Sequence, residues 1–251
     1  MMNKKRKRNT INSYQLTEYE NFIKFQQLVR AYSSEEHAKS APMFYGLNAS
    51  PLGLCAFALT TFVVSMYLAG ATVPVGASMG VVMGAALFYG GVVQILGGYL
   101  EYREGNNFGA LTFCSYGAFW LSFASLDVAA FNFLVGYKDP EVLSNAFGVF
   151  FLGWTIFTAL MFLSSLRTNL VTSTLFFCLL ITFILLTSSK FLLGHQNLQR
   201  ASGAFGILTA SLAWYSGFSQ LLNKSNWFFK WPLFAIRHRP ATDAEKLLEP
   251  A

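Results

Sequence analysis

Charge is scarce in this chain. Asp, Glu, Lys and Arg together make up 12% of its 251 residues, about half of the ~25% usual in a soluble domain. What charge there is crowds into the two ends. That shortage, with 54% hydrophobic residues and a mean hydropathy of +0.42, excludes an ordinary soluble fold and implies an all-α integral membrane protein. Cysteine is also sparse. Cys55, Cys114 and Cys178 stand alone inside apolar stretches, with no CxxC or Cys/His grouping, which argues against disulfides and zinc. His37, His195 and His238 lie far apart in tails or a loop, and no paired-His helix face or Ser/His/Asp pattern is visible. The sequence therefore calls for no metal and no cofactor. The first apolar run begins about fifty residues in, so it is expected to act as the insertion signal in place of a cleavable leader.

Six apolar runs are present, over residues 51–68, 77–100, 108–126, 142–163, 170–187 and 202–221. Each approaches the ~20 helical residues needed to cross a hydrocarbon core. The 26 phenylalanines suit a lipid-facing surface or a dry pore wall. The organisation expected is a cytosolic tail over 1–45, a six-helix transmembrane domain over 46–222 and a second cytosolic tail over 223–251. Charge sets the orientation. With both termini in the cytosol, all but Lys138, Lys190 and Arg200 of the 18 basic residues fall inside, as the positive-inside rule requires.

The tails carry interfacial signals. Residues 4–8 are a basic cluster, suited to anionic lipid heads more than to nucleic acid. Leu16, Tyr19, Phe22, Ile23 and Val29 give residues 14–32 the pattern of an amphipathic helix, with a structureless tail as the plainer reading. Trp227, Phe228, Phe229 and Trp231 before Pro232 resemble an aromatic belt. The end, 243–251, reads as disordered. In the second run Gly76, Gly80 and Gly84 recur every four residues, a small face suited to close helix packing. Phe-Gly recurs at 108, 147 and 205, a faint echo of a repeated unit.

The first run opens with Asn48-Ala49-Ser50-Pro51-Leu52-Gly53-Leu54. Pro51 suits the first helical turn and Ser50 is expected to cap it. Gly53 leaves room for a neighbouring backbone. Asn48 is then left with a free donor and acceptor at a helix mouth, which fits a pore entrance or a plain cap about equally. Within the runs, polarity is neutral: Thr60, Thr61, Gln94, Ser115, Tyr116, Ser122, Thr155, Thr158, Thr172 and Thr182. Glu101, Glu104 and Asp127 are expected at span boundaries and not as buried relays. A path lined by hydroxyls and amides suits a small neutral or weakly anionic solute, and suits a strongly hydrated metal ion poorly. The absence of a nucleophile with its base argues against an intramembrane enzyme.

These motifs resemble the acetate uptake transporter family. The family signature Asn-Pro-Ala-Pro-Leu-Gly-Leu stands here as Asn48–Leu54 with two of the seven positions changed. The likeness continues through Phe88-Tyr89-Gly90-Gly91, Gln94, Glu101, Gly105-Asn106-Asn107-Phe108-Gly109-Ala110 and Ser115-Tyr116-Gly117-Ala118-Phe119-Trp120-Leu121-Ser122, and covers about residues 46–220. The resemblance implies a plasma-membrane, multi-pass transporter or channel for acetate and related short carboxylates, succinate among them, with or without proton coupling. It also implies a homo-oligomer, a hexamer, with one pore per protomer. It places the pore's narrowing on Phe57, Tyr116 and Leu179, and a selectivity-shaping small residue on Ala213. With Asn48, Thr60 and Gln94 these make up the expected substrate path. Read without the family, Phe57 and Leu179 are ordinary packing residues.

Two other functions compete with acetate passage. Ammonia or ammonium passage would be marked by an aromatic vestibule and paired histidines within the pore, and no run contains a histidine. A non-transporting membrane scaffold would turn its polar residues toward neighbouring helices and not along one continuous path.

Overall fold

The computed structural model describes residues 20–30, 48–193, 195–222, 231–234 and 236. They belong to two units, Met1–Gly46 and Leu47–Ala251. In the first, residues 20–30 form helix α1, exposed along its whole length. It falls within the stretch patterned as an amphipathic helix. The basic cluster at 4–8 and the end at 243–251 lie outside the described residues.

The described residues of the second unit hold six helices: α2 Ser50–Ala69, α3 Gly80–Arg103, α4 Asn107–Ser125, α5 Pro140–Ser165, α6 Leu170–Phe191 and α7 Gln196–Leu221. Four of them, α2, α3, α5 and α6, are long and apolar enough to cross a membrane. Helices α4 and α7 stand where the third and sixth spans are expected. Asn107, Ser115 and Ser122 in α4, and Gln196, Arg200, Ser202 and Gln220 in α7, make these two more polar. Two ends differ from the sequence reading. Helix α6 continues to Phe191 and α7 begins at Gln196, so Lys190 and Arg200 sit on helices and not in a loop.

Local chemistry sets the helix starts. Asn106 accepts from the Gly109 amide at 3.1 Å, Asp139 from Glu141 at 2.9 Å and Asn169 from Thr172 at 2.9 Å, each satisfying an otherwise orphaned first-turn N–H. At α2 the expected cap is absent. Ser50 is already helical, and its hydroxyl turns instead to the Glu101 carboxylate. The amide of Ser50 donates to the Asn48 side chain at 3.2 Å.

Helix α3 is wedged between α2 and α4. Its middle, Ala86–Val93, is a π-helix. A Cβ on Gly90 would stand 2.7 Å from Thr60, one on Gly91 2.5 Å from Leu121, and one on Gly97 3.0 Å from the Gly53 backbone. Close approach therefore runs along this face. On the expected packing face of Gly76, Gly80 and Gly84, a Cβ at Gly80 would meet only Ser78, at 3.9 Å, and one at Gly76 or Gly84 nothing within 4 Å among the described residues.

Paired positions fix the directions. Gly97 faces Gly53 and Gly90 faces Thr60, while Gly98 meets Cys114 and Gly91 meets Leu121. Helix α3 is thus antiparallel to both α2 and α4. Ser144 donates to the Lys190 carbonyl at 2.7 Å and Thr155 bonds Thr187 at 3.0 Å, so α5 and α6 are antiparallel. Helices α4 and α5 are bridged by large rings, with Phe119 against Phe150 and Trp154, and Phe123 against Phe151. It follows that α2, α4 and α6 point the same way around the bundle interior.

Candidate functional site

Two cavities lie in series inside this bundle. The larger, about 330 Å³, opens among the N-terminal ends of α2, α4 and α6, with Ser50, Asn106, Gly109, Asn169 and Thr172 on its wall. The smaller, about 170 Å³, lies among the C-terminal ends of the same helices, with Val64, Leu68, Trp120, Phe183 and Leu186 on its wall. Both far exceed the ~10–15 Å³ that admits one water. Three residues line both: Phe57 of α2, Tyr116 of α4 and Leu179 of α6. They form the wall between the cavities.

That wall is buried and well supported. Phe57, Tyr116 and Leu179 are 6%, 1% and 3% exposed. The Phe57 and Tyr116 rings are 5.8 Å apart at 59°, within the range of favourable aromatic pairs. Phe157 and Trp154 flank Tyr116 at 5.6 and 6.0 Å. The Tyr116 hydroxyl bonds the Thr158 hydroxyl at 2.8 Å. An O–H group has one donor and two lone pairs, so two of these three positions survive that bond.

The N-end cavity has a polar floor. The Glu101 carboxylate, expected at a span boundary, is 1% exposed and accepts from both Ser50 and Asn106. Those two residues line the cavity, so a buried acid holds part of its wall. Asn48 is exposed, and its amide donates to Gln220 at 3.2 Å. Its donor and acceptor are both engaged, contrary to the sequence reading. Ser216 and Gln220 of α7 line the same cavity. Three parallel helix N-termini face this space, and such ends carry partial positive charge.

The chain beyond α7 returns to this end. Tyr215 donates to the Pro232 carbonyl at 2.9 Å, the Leu170 amide donates to the Phe234 carbonyl at 3.0 Å, and Leu233 lines the N-end cavity. Trp231 lies 5.2 Å from the Tyr215 ring, packed on α7 where a bilayer belt was expected. Trp227, Phe228 and Phe229 lie outside the described residues.

The C-end cavity is more apolar. Besides Tyr116 in the dividing wall, its polar side chains are Thr61, Ser65, Trp120, Thr182 and Lys190. Thr61 Oγ1 and Trp120 Nε1 are enclosed without a hydrogen-bond partner among the described residues.

The expected path residues separate into groups. Phe57, Tyr116 and Leu179 meet at the wall. Asn48 stands beside the N-end cavity, joined to it through Ser50 and Gln220. Thr60, Gln94 and Ala213 are fully buried and are not on the wall of either cavity. Thr60 bonds the Ala56 and Ala85 carbonyls at 3.0 and 3.4 Å, tying α2 to α3. Gln94 follows the π-helical segment, and neither of its amide atoms has a partner among the described residues. Glu101, read from the sequence as a span-boundary residue, and Lys190, read as an outer basic residue, were not among the expected path residues. Glu101 lies seven residues, two turns, after Gln94 and so on the same face, a signal that was available.

A family profile described as the GPR1/FUN34/yaaH family matches residues 33–238. The chain belongs to this family. It is 40% identical over 200 residues to Ammonia transport outward protein 2 of Saccharomyces cerevisiae, covering 78% of this chain and 69% of that one. It is 32% identical over 177 residues to the succinate-acetate/proton symporter SatP of Escherichia coli, covering 70% of this chain and 89% of the symporter. The structure of the bacterial acetate channel SatP superposes with a TM-score of 0.63 at 31% identity, covering 71% of this chain and 94% of the channel. These three relatives are named as transporters or a channel.

Proposed function

We propose that the chain conducts acetate and related short carboxylates, succinate among them, across a membrane. The observation that carries this reading is the pair of cavities meeting at Phe57, Tyr116 and Leu179. A carboxylate enters the N-end cavity, where three helix N-termini and the remaining amide N–H of Asn106 and of Gln220 replace part of its water shell. It then passes a bulky, buried wall that excludes hydrated ions. Similarity to the E. coli symporter and to the acetate channel supports the substrate class.

In this reading all six helices of the second unit cross the bilayer. Arg103 and Arg167 flank the N-end cavity side, and the positive-inside rule puts that side, with both termini, in the cytosol. The membrane is the plasma membrane. Val81, Phe88, Val92 and Leu96 on α3 are exposed, offering a surface for lipid or for neighbouring protomers of a hexamer with one path each. Counterflow of labelled acetate in proteoliposomes tests the reading, and no counterflow above protein-free vesicles refutes it. Ammonia passage is the second reading, favoured by the likeness to the yeast ammonia transport protein. Among the described residues no histidine lines either cavity, and labelled methylammonium in the same vesicles separates the two.

A further inference from the structure

Among the described residues, Lys190 is the sole charged side chain on the wall of either cavity. It lies in the last turn of α6, 11 residues beyond Leu179 and hence roughly 16 Å along the helix from the wall. Its ammonium is 5.7 Å from the centroid of the Phe147 ring, which lines the same cavity. No carboxylate pairs with it among the described residues. The location matters because of helix direction. The ends of α2, α4 and α6 that meet the C-end cavity are C-terminal, and such ends carry partial negative charge. The opposite-running α3 brings its N-cap residue Met79 to the same wall, which offsets part of that negative charge. Among the described residues on this largely apolar wall, Lys190 supplies the full positive charge.

We propose that Lys190 is the anion-capture residue of the C-end cavity, binding the carboxylate of a short monocarboxylate at the mouth opposite the polar cavity. The proposal rests on the carboxylate reading above and adds the group that makes the second cavity hospitable to an anion. Phe147 and the Ser144 bond to the Lys190 carbonyl hold the lysine's place on the wall. The same charge opposes entry of an alkylammonium ion from that side.

The test uses the full-length protein, purified in detergent, titrated with sodium acetate while tryptophan fluorescence is followed, since Trp120 lines this cavity. Lys190→Met is expected to weaken acetate binding roughly 5-fold, the size of a half-exposed charge pair. Lys190→Arg should stay within about 2-fold of wild type, because it keeps the charge. Both variants should melt within a few degrees of wild type, and Lys190→Gln replaces Lys190→Met if the latter does not. In proteoliposomes the neutral variant should raise the half-saturating acetate concentration while keeping the maximal flux, and should pass methylammonium faster. Equal acetate affinity in wild type and the neutral variants overturns the proposal, as does wild-type protein that binds no acetate. Acetate binding that depends on Lys190 without any flux refutes the transport reading alone. Flux with the same half-saturation in every variant refutes the role of Lys190 alone.

Discussion

The hydroxyls of Tyr116 and Thr158 stand 2.8 Å apart in the bundle interior. Both residues are buried, so this bond anchors the tyrosine that divides the two cavities. Thr158→Val leaves the Tyr116 hydroxyl unpaired, and losing one partner of a buried pair costs about 1–3 kcal/mol. The expected result is a lower melting temperature in detergent, with much of the loss recovered in the double variant Thr158→Val, Tyr116→Phe. A double variant no more stable than Thr158→Val would show that the bond does not hold the ring.

Leu179→Ala removes one third of the wall. A buried Leu→Ala change costs about 2–5 kcal/mol, and here it also joins the cavities. Flux of larger monocarboxylates relative to acetate should rise, whereas the volume-conserving Leu179→Met should leave the ratio near wild type. Competition of unlabelled acids against labelled acetate measures it, and unchanged ratios in a well-expressed Leu179→Ala protein would remove Leu179 from the path.

Glu101 accepts from Ser50 and Asn106 on two other segments. Glu101→Leu strands both donors, at about 1.5–3 kcal/mol for each bond to a charged group. Glu101→Gln keeps one good acceptor and should fall between the two. Thermal melts that rank wild type, Gln and Leu in that order are expected. A Leu variant as stable as wild type would mean that the carboxylate is not a structural tie.

Asn48 caps the Ser50 amide and donates to Gln220. Asn48→Ala should lower stability by about 1 kcal/mol, the usual worth of such a cap, and reduce acetate flux. Asn48→Asp keeps the acceptor and suits the helix N-terminus. It should melt near wild type yet conduct acetate poorly, because a negative charge now stands beside the N-end cavity. Wild-type flux in Asn48→Asp at matched expression would separate Asn48 from the path.

A cysteine introduced at position 139 should react with an impermeant maleimide added outside intact cells, and one at position 10 should react only after permeabilisation. The native Cys55, Cys114 and Cys178 carry no disulfide, so a cysteine-free background serves for the labelling. The opposite pattern would invert the proposed orientation.

The positions of the helices were legible from the sequence because they follow from local causes. Long apolar runs and Pro51 in a first turn are readable locally, whereas the Asn106, Asp139 and Asn169 caps emerged only with the structure. The residues of the dividing wall were reached by resemblance, since nothing local distinguishes Phe57 or Leu179 from packing residues. Partnership was beyond the sequence. Whether Glu101 is buried, whether Asn48 is free, and whether Thr60, Gln94 and Ala213 face a cavity or a neighbouring helix all depend on how each helix is rotated about its axis. That rotation is fixed by contacts between distant segments, such as Gly97 against Gly53. Periodicity marks a face but not what the face meets. The tertiary structure alone brings three parallel helices together so that one cavity receives their N-termini and the other their C-termini, with Lys190 at the second.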